Sequence, residues 1–288
     1  NFRLERSSCA SLRMGTITAG WDTQWLGHSL PITWLLPSRA VTVAIYGLLT
    51  LAVNFLAGFA DVDITPPLTI PYLGFIPRQA YFTGVHDPLC ARALALEADG
   101  QGAIVIVADA IGFDDRLLGE DRHFTSEVRT RVAARTGLAP ESVMLACTHA
   151  HSTPETLNFR CLRDHPGATA WLETLLDQLA SAAAMAWARR VPRKLRWSRR
   201  ELAGLSIPRR APVRARHLGL PEEQVRAEYP LDRDLRVLVL SDPATGKQIV
   251  LSHFAAHPVT VQVQPLVSAD FPGAALGIVQ REVARCEG

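Results

Sequence analysis

Apolar and polar positions in this chain fall into blocks whose spacing names the elements. Residues 41–60 are almost continuously apolar, broken by the polar side chains of Thr42, Thr50 and Asn54. A stretch of that length could span a bilayer, or serve as the apolar part of a signal segment after Arg39. Its later part equally reads as the first core strand. We assign residues 56–64 to that strand, and residues 1–55 to a leader, a signal or anchor, or a non-native extension. Pro66-Pro67 ends the strand, because proline has no amide hydrogen to give to a ladder. Two more apolar runs, residues 91–96 and 103–108, flank Asp99-Gly100, a dipeptide suited to a tight hairpin.

Residues 120–136 predict an amphipathic helix with Val128 and Val132 on one face, closed by Gly137. A short buried strand follows at Val143–Cys147. Leu172, Leu175, Leu176, Leu179 and Met185 recur at helical spacing and predict a long helix over residues 168–190. Strands resume at residues 194–199, 235–240 and 249–254, with a turn over residues 242–246. Strands and helices in this order predict an α/β fold: a mixed sheet flanked by helices, with a metal site at strand ends. The chain opens at Asn1 and stops at Arg285-Cys286-Glu287-Gly288 inside a helical pattern, so we read it as an internal piece of a longer reading frame.

Composition narrows the class. Of 288 residues, 48% are hydrophobic and 20% charged, a globular balance with ample material for a core. The 30 basic and 28 acidic residues leave a net charge of +2, so nucleic acid is not expected as a partner. The arginines crowding residues 189–216 read as a solvated helix end and loop. Five cysteines, an odd number without C-x-x-C spacing, indicate neither a disulfide framework nor a zinc knuckle.

Candidate chemistry concentrates at Thr148-His149-Ala150-His151-Ser152-Thr153-Pro154, just past a strand end. Neutral imidazole is a good zinc ligand, and a catalytic zinc takes about three protein ligands and a water. An isolated H-x-H can also be a pair of loop histidines satisfied by backbone or solvent. His257, after the strand at residues 249–254, offers a second imidazole from far along the chain, or a core histidine. It is followed by Ser268-Ala269-Asp270. Asp109 could orient a ligand histidine from behind, or cap the turn after its strand. His86 reads as structural. Ser152 and Ser268 lie near histidines but outside G-x-S-x-G. Cys147 falls inside an apolar strand, where a thiol is inert. Taken alone, these residues indicate a zinc-dependent hydrolase and no substrate.

Four ordered blocks then resemble one family, the amino-terminal domain of the neutral/alkaline non-lysosomal ceramidases. They are Ala57-Gly58-Phe59-Ala60-Asp61-Val62-Asp63-Ile64-Thr65-Pro66, Gly84-Val85-His86-Asp87-Pro88, Thr148-His149-Ala150-His151-Ser152, and His257-Pro258 leading to Ser268-Ala269-Asp270. Arg209-Arg210-Ala211-Pro212 looks like the family's Asn-Arg-Ser-Pro loop. The likeness makes residues 56–288 a ceramidase-like amino-terminal catalytic domain, cut short at its carboxyl end.

The resemblance implies a zinc amidohydrolase that splits the N-acyl bond of ceramide into sphingosine and a fatty acid. It implies that His149 and His257 bind Zn2+, that His151 hydrogen-bonds the reacting carbonyl or its oxyanion, and that Arg210 helps hold substrate. A lipid substrate implies a possible membrane surface as partner, and a secreted, periplasmic or surface-attached location. The family's remaining ligands, a glutamate and a tyrosine, and its active-site serine motif are expected beyond residue 288. Another amide or ester as substrate, or a catalytically silent lipid-binding or membrane-anchored relative, are the alternatives. Two departures stand out: Thr153 replaces the usual glycine before Pro154, where a side chain could narrow the pocket, and Arg209 replaces the asparagine.

Overall fold

The structure is a computed structural model that describes residues 55–72, 80–159, 162, 165–261 and 264–287. The expectations for residues 1–54 lie outside the described residues. In chain order the strands are β1 (Phe55–Asp63), β2 (Pro71–Tyr72), β3 (Ala80–Tyr81), β4 (Gly84–Val85), β5 (Cys90–Ala98), β6 (Gln101–Ala108), β7 (Val143–Cys147), β8 (Val191–Pro192), β9 (Lys194–Glu201), β10 (Asp234–Ser241), β11 (Gln248–His253) and β12 (Leu266–Val267). The helices are α1 (Phe124–Thr136), α2 (Ala168–Ala188), α3 (Arg210–Leu218), α4 (Glu222–Arg226) and α5 (Asp270–Glu287). Among the described residues, no helix is long and apolar enough to cross a membrane.

The main sheet is mixed, in the order β7-β6-β5-β1-β8. β1, β5 and β6 pair antiparallel, and Asp99-Gly100 makes the β5–β6 hairpin with Ala98 opposite Gln101. Asp99 and Gly100 have φ of 50° and 77°, the left-handed pair that a two-residue hairpin needs. β7 joins β6 in parallel, so both strands point their carboxyl ends the same way.

Helices α1 and α2 cover one face of this sheet. Leu172, Leu175, Leu176 and Leu179 from α2 meet Ile104, Ile106, Ala93 and Ala95, all 2% exposed or less. Each such leucine contributes about 1.5–3 kcal/mol by leaving water. Ala180, Ala182, Ala183 and Ala186 let α2 approach closely, and Gly58 in β1 is required for it, because a Cβ there would overlap the Ala186 carbonyl. Salt bridges fasten α1 to α2 at the rim: Arg122 to Glu127 and Glu173, Arg131 to Glu173 and Asp177, and Arg135 to Asp177. The Arg122 guanidinium holds the Glu127 and Glu173 carboxyls below their usual range.

The other face carries the antiparallel sheet β11-β10-β9. Leu195, Leu238, Leu240 and Ile249 pack there on Ala57, Leu94 and Leu96.

Helix α1 starts at Phe124, four residues later than the periodicity predicts. His123 before it is extended, Thr125 N–H in the first turn donates to Asp115 Oδ1, and Arg122 lies outside the helix, reaching back to Glu127 and across to Glu173. Gly137 closes α1 in a left-handed conformation with φ 75°, as expected.

Candidate metal centre

The parallel pair β6–β7 builds the first half of the site. Past the strand ends the pairing continues, with Thr148 N–H donating to Ala108 O and His149 N–H to Ala110 O. His149 takes a left-handed backbone, φ 66°, a rare state for a residue with a Cβ. Its Nδ1 lies 2.5 Å from the Ile111 carbonyl. A proton on Nδ1 is therefore held by the backbone, and Nε2 keeps its lone pair free for a cation.

The second half arrives from β11. Beyond His253 the chain turns irregular, and His257 meets the first pair. The His257 and His151 Nε2 atoms are 2.8 Å apart. The His257 ring stacks on His149 at 4.9 Å between centroids and stands edge-on to His151 at 4.7 Å. One nitrogen from each of the three imidazoles lies within 4.8 Å of the others. Burial, then His151 and His149, and then Arg209 push the His257 imidazole down to about 4. The His257 ring thus suits the neutral form near pH 7, which a metal ligand requires.

This donor set fits a zinc-type ion. Three imidazole nitrogens match zinc's borderline-soft preference, and one ring is already oriented through its other nitrogen by a carbonyl.

With that geometry in view, the comparisons with known proteins decide the family. The sequence matches the family described as neutral/alkaline non-lysosomal ceramidase, N-terminal, over residues 55–287. The chain belongs to this family. Two solved structures share its fold. One is neutral ceramidase from Pseudomonas aeruginosa, at 22% identity and TM-score 0.58, covering 75% of this chain and 34% of that one. The other is described as a ceramidase complexed with C2, at 22% identity and TM-score 0.59, covering 75% and 33%. This chain spans about a third of the length of those proteins. No curated protein matches it by sequence.

Arg210 is exposed at the start of α3. Its neighbour Arg209 is the one that reaches the cluster, with Nη1 3.5 Å from His257 Nδ1. Both arginines are exposed; sequence reasoning noted Arg209 only as a departure from the family pattern, and nothing in the spacing distinguishes which of the two comes within reach of His257.

Asp109 does not touch a ligand histidine. It is fully buried, with Oδ2 accepting from Arg92 Nη1 at 2.7 Å and from the Cys90 amide at 3.0 Å. Burial pushes its carboxyl up, against the pull of Arg92. The Ile111 carbonyl takes the orienting role that the sequence suggested for Asp109.

Thr153 turns into the protein, accepting from Ile111 N–H at 3.0 Å and donating to Ala150 O at 2.8 Å. Its hydroxyl fastens the His149–His151 loop to the segment that holds His149 Nδ1.

The rival nucleophiles are committed elsewhere. Ser152 is fully buried and donates to Val261 O, and Ser268 donates to Asp87. Burial pushes the Cys147 thiol up to about 12, which leaves it a neutral, inert thiol near pH 7. His86 pairs with Asp87 at 2.5 Å.

Proposed function

We propose that residues 56–288 form the amino-terminal catalytic part of a zinc amidohydrolase that cleaves the N-acyl bond of ceramide to sphingosine and a fatty acid. The observation that carries this reading is the convergence of His149, His151 and His257 from two strand ends in a ceramidase-family domain. One of the two solved relatives, described as complexed with C2, supports a ceramide-like ligand. A substrate of that kind favours action at a membrane surface, in a secreted, periplasmic or surface-attached protein.

In this reading His149 and His257 hold the zinc through Nε2. When bound, zinc supplies Lewis-acid polarisation and a water acidic enough to react near neutral pH. His149 contributes a ring locked by Ile111 O. His151 carries its proton toward the amide oxygen and stabilises the charge that develops there, an effect of about 3–4 kcal/mol for one such donor. Arg209 keeps positive charge beside His257, which disfavours protonation of that ring. Arg210, its exposed neighbour, would meet the polar part of a lipid in this reading.

A second reading makes His151 a third zinc ligand, favoured by its 2.8 Å approach to His257. His151→Ala separates the two. As an oxyanion donor it loses about 10²–10³ in kcat with zinc affinity unchanged. As a ligand it loses zinc affinity as well.

The experiment is ceramide hydrolysis by the longer, full-length reading frame expected to contain this domain, beside His149→Ala, with chelation and zinc add-back. The proposal expects turnover that the chelator and the substitution abolish and zinc restores. Zinc binding without ceramide turnover would keep the metal site and reject the substrate. Absence of zinc binding would reject both.

A further inference from the structure

Val261 lies four residues beyond His257, in the irregular segment between β11 and β12. Side chains from elsewhere hold both of its backbone polar groups. Its N–H donates to Asp270 Oδ2 at 3.1 Å, and its carbonyl accepts from Ser152 Oγ at 3.0 Å. Between Phe254 and Val261, the backbone bonds internal to the segment are Ala256 N–H to Phe254 O and Val259 N–H to His257 O, too few to fix it unaided.

Both anchors are buried and fully committed. Asp270 is 4% exposed and takes φ 55°, a left-handed backbone that aspartate tolerates better than most residues. Its Oδ1 also accepts from Thr260 Oγ1 and from Phe271 N–H, and its own N–H donates to Ser268 Oγ. Ser268 Oγ donates to Asp87 Oδ1 at 2.6 Å, and Ala269 N–H donates to Asp87 Oδ2 at 2.7 Å. Ser152 follows His151 directly, and its carbonyl receives Ser268 N–H at 3.0 Å. Hydrogen bonds therefore link Asp87, Ser268, Asp270, Val261 and Ser152, tying the histidine pair after β7 to the loop that bears His257.

We infer that Asp270 and Ser152 are positioning residues for His257. By pinning Val261 they fix where the His257 imidazole stands against His149 and His151, and so set the affinity for metal. This rests on reading His149 and His257 as metal ligands. A ligand loop ordered in advance loses less freedom when the ion arrives, and outer partners of metal ligands typically change affinity by about 10–100-fold. The motif Ser268-Ala269-Asp270 thereby acquires a role without touching ion or substrate.

Three variants of the full chain test it. Asp270→Asn keeps a residue that accepts a left-handed backbone and removes one of two carboxylate acceptors. Asp270→Ala removes both, and Ser152→Ala removes the hydroxyl with little change in volume. Two quantities are read: the zinc dissociation constant by competition with a chromophoric chelator, and deuterium exchange of residues 254–261 in metal-free protein, with α2 as internal reference.

The expected result is exchange of the loop accelerated about 10-fold with α2 unmoved, and zinc bound about 10-fold more weakly in Asp270→Asn and Ser152→Ala, more so in Asp270→Ala. Faster loop exchange with unchanged zinc affinity overturns the positioning role. Unchanged loop exchange overturns the clamp itself. If the parent chain binds no zinc, the metal reading falls and takes the affinity claim with it, while the exchange rates still decide whether Val261 is clamped.

Discussion

Strands β5 to β7 with helices α1 and α2 share one buried apolar core, whereas the loop bearing His257 depends on isolated side-chain-to-backbone hydrogen bonds. The first region draws its stability from apolar area, which is non-directional and tolerant of small shifts. The second fixes position with directional contacts, each modest in free energy but sharp in geometry. The difference teaches a division of labour. The core makes the platform at the ends of β6 and β7, and polar contacts bring the distant histidine to it.

Substitutions should separate the two regions. The largest stability loss is expected in the core: Leu176→Ala, at a fully buried position, should cost about 2–5 kcal/mol in chemical denaturation. Zinc affinity of the folded fraction should stay as in the parent. A parallel loss of affinity would mean that the two regions are not independent.

Thr153→Val comes next. It leaves the Ile111 amide, in a residue 2% exposed, without its acceptor, at about 1–3 kcal/mol. Because Ile111 O also holds His149 Nδ1, this variant should weaken zinc binding too. Intact zinc affinity in it would show that Thr153 belongs to the platform alone.

Acid should act on the platform at its rim. Glu127 and Glu173 have pKa values lowered in the folded state by Arg122, so the unfolded chain binds protons more readily. Their contribution is fully present above the unfolded value of about 4.5 and fades as pH falls through the lower folded values. Thermal midpoints measured from pH 6 downward should drop in that window, and less steeply in Glu173→Gln. An unaltered slope in the variant would remove this pair from the account.

The smallest effect is expected at Arg199→Ala. Its side chain is 58% exposed and pairs with Asp234 on the outer sheet. A stability change too small to resolve from the parent in chemical denaturation should follow, together with full zinc affinity. A larger loss would make that outer pair part of the scaffold.

Much of the platform was legible because it follows simple periodicities. The β5–β6 hairpin announced itself through Asp99-Gly100 between apolar runs, and α2 through leucines at helical spacing. His149 and His151 were legible because the apolar run ends at Cys147, which places the next residues at a strand end. Other elements gave no such signal. Helix α3 buries only Ala211 and Ala215 and otherwise shows arginine and exposed apolar side chains, so it has no apolar stripe to read.

Helix α5 carries Pro272, Gly273 and Gly277 near its start, which hide where it begins, although its end read as a helical pattern and proline is tolerated in a first turn. The pairing of β4 with β12 joins segments about 180 residues apart and exists only through tertiary structure. The role of Asp109 stayed open for the same reason. A carboxylate at a strand end looks free to serve a histidine until Arg92, on the adjacent strand, is seen to claim it.

The central claim is that two histidines from opposite parts of the chain, His149 and His257, jointly hold a metal. Zinc titration of the full chain beside His149→Ala and His257→Ala tests it most directly. The account predicts a single tight zinc site in the parent, weakened in either variant beyond the about 10–100-fold expected for outer partners. Tight binding that survives both substitutions, or none in the parent, would contradict it.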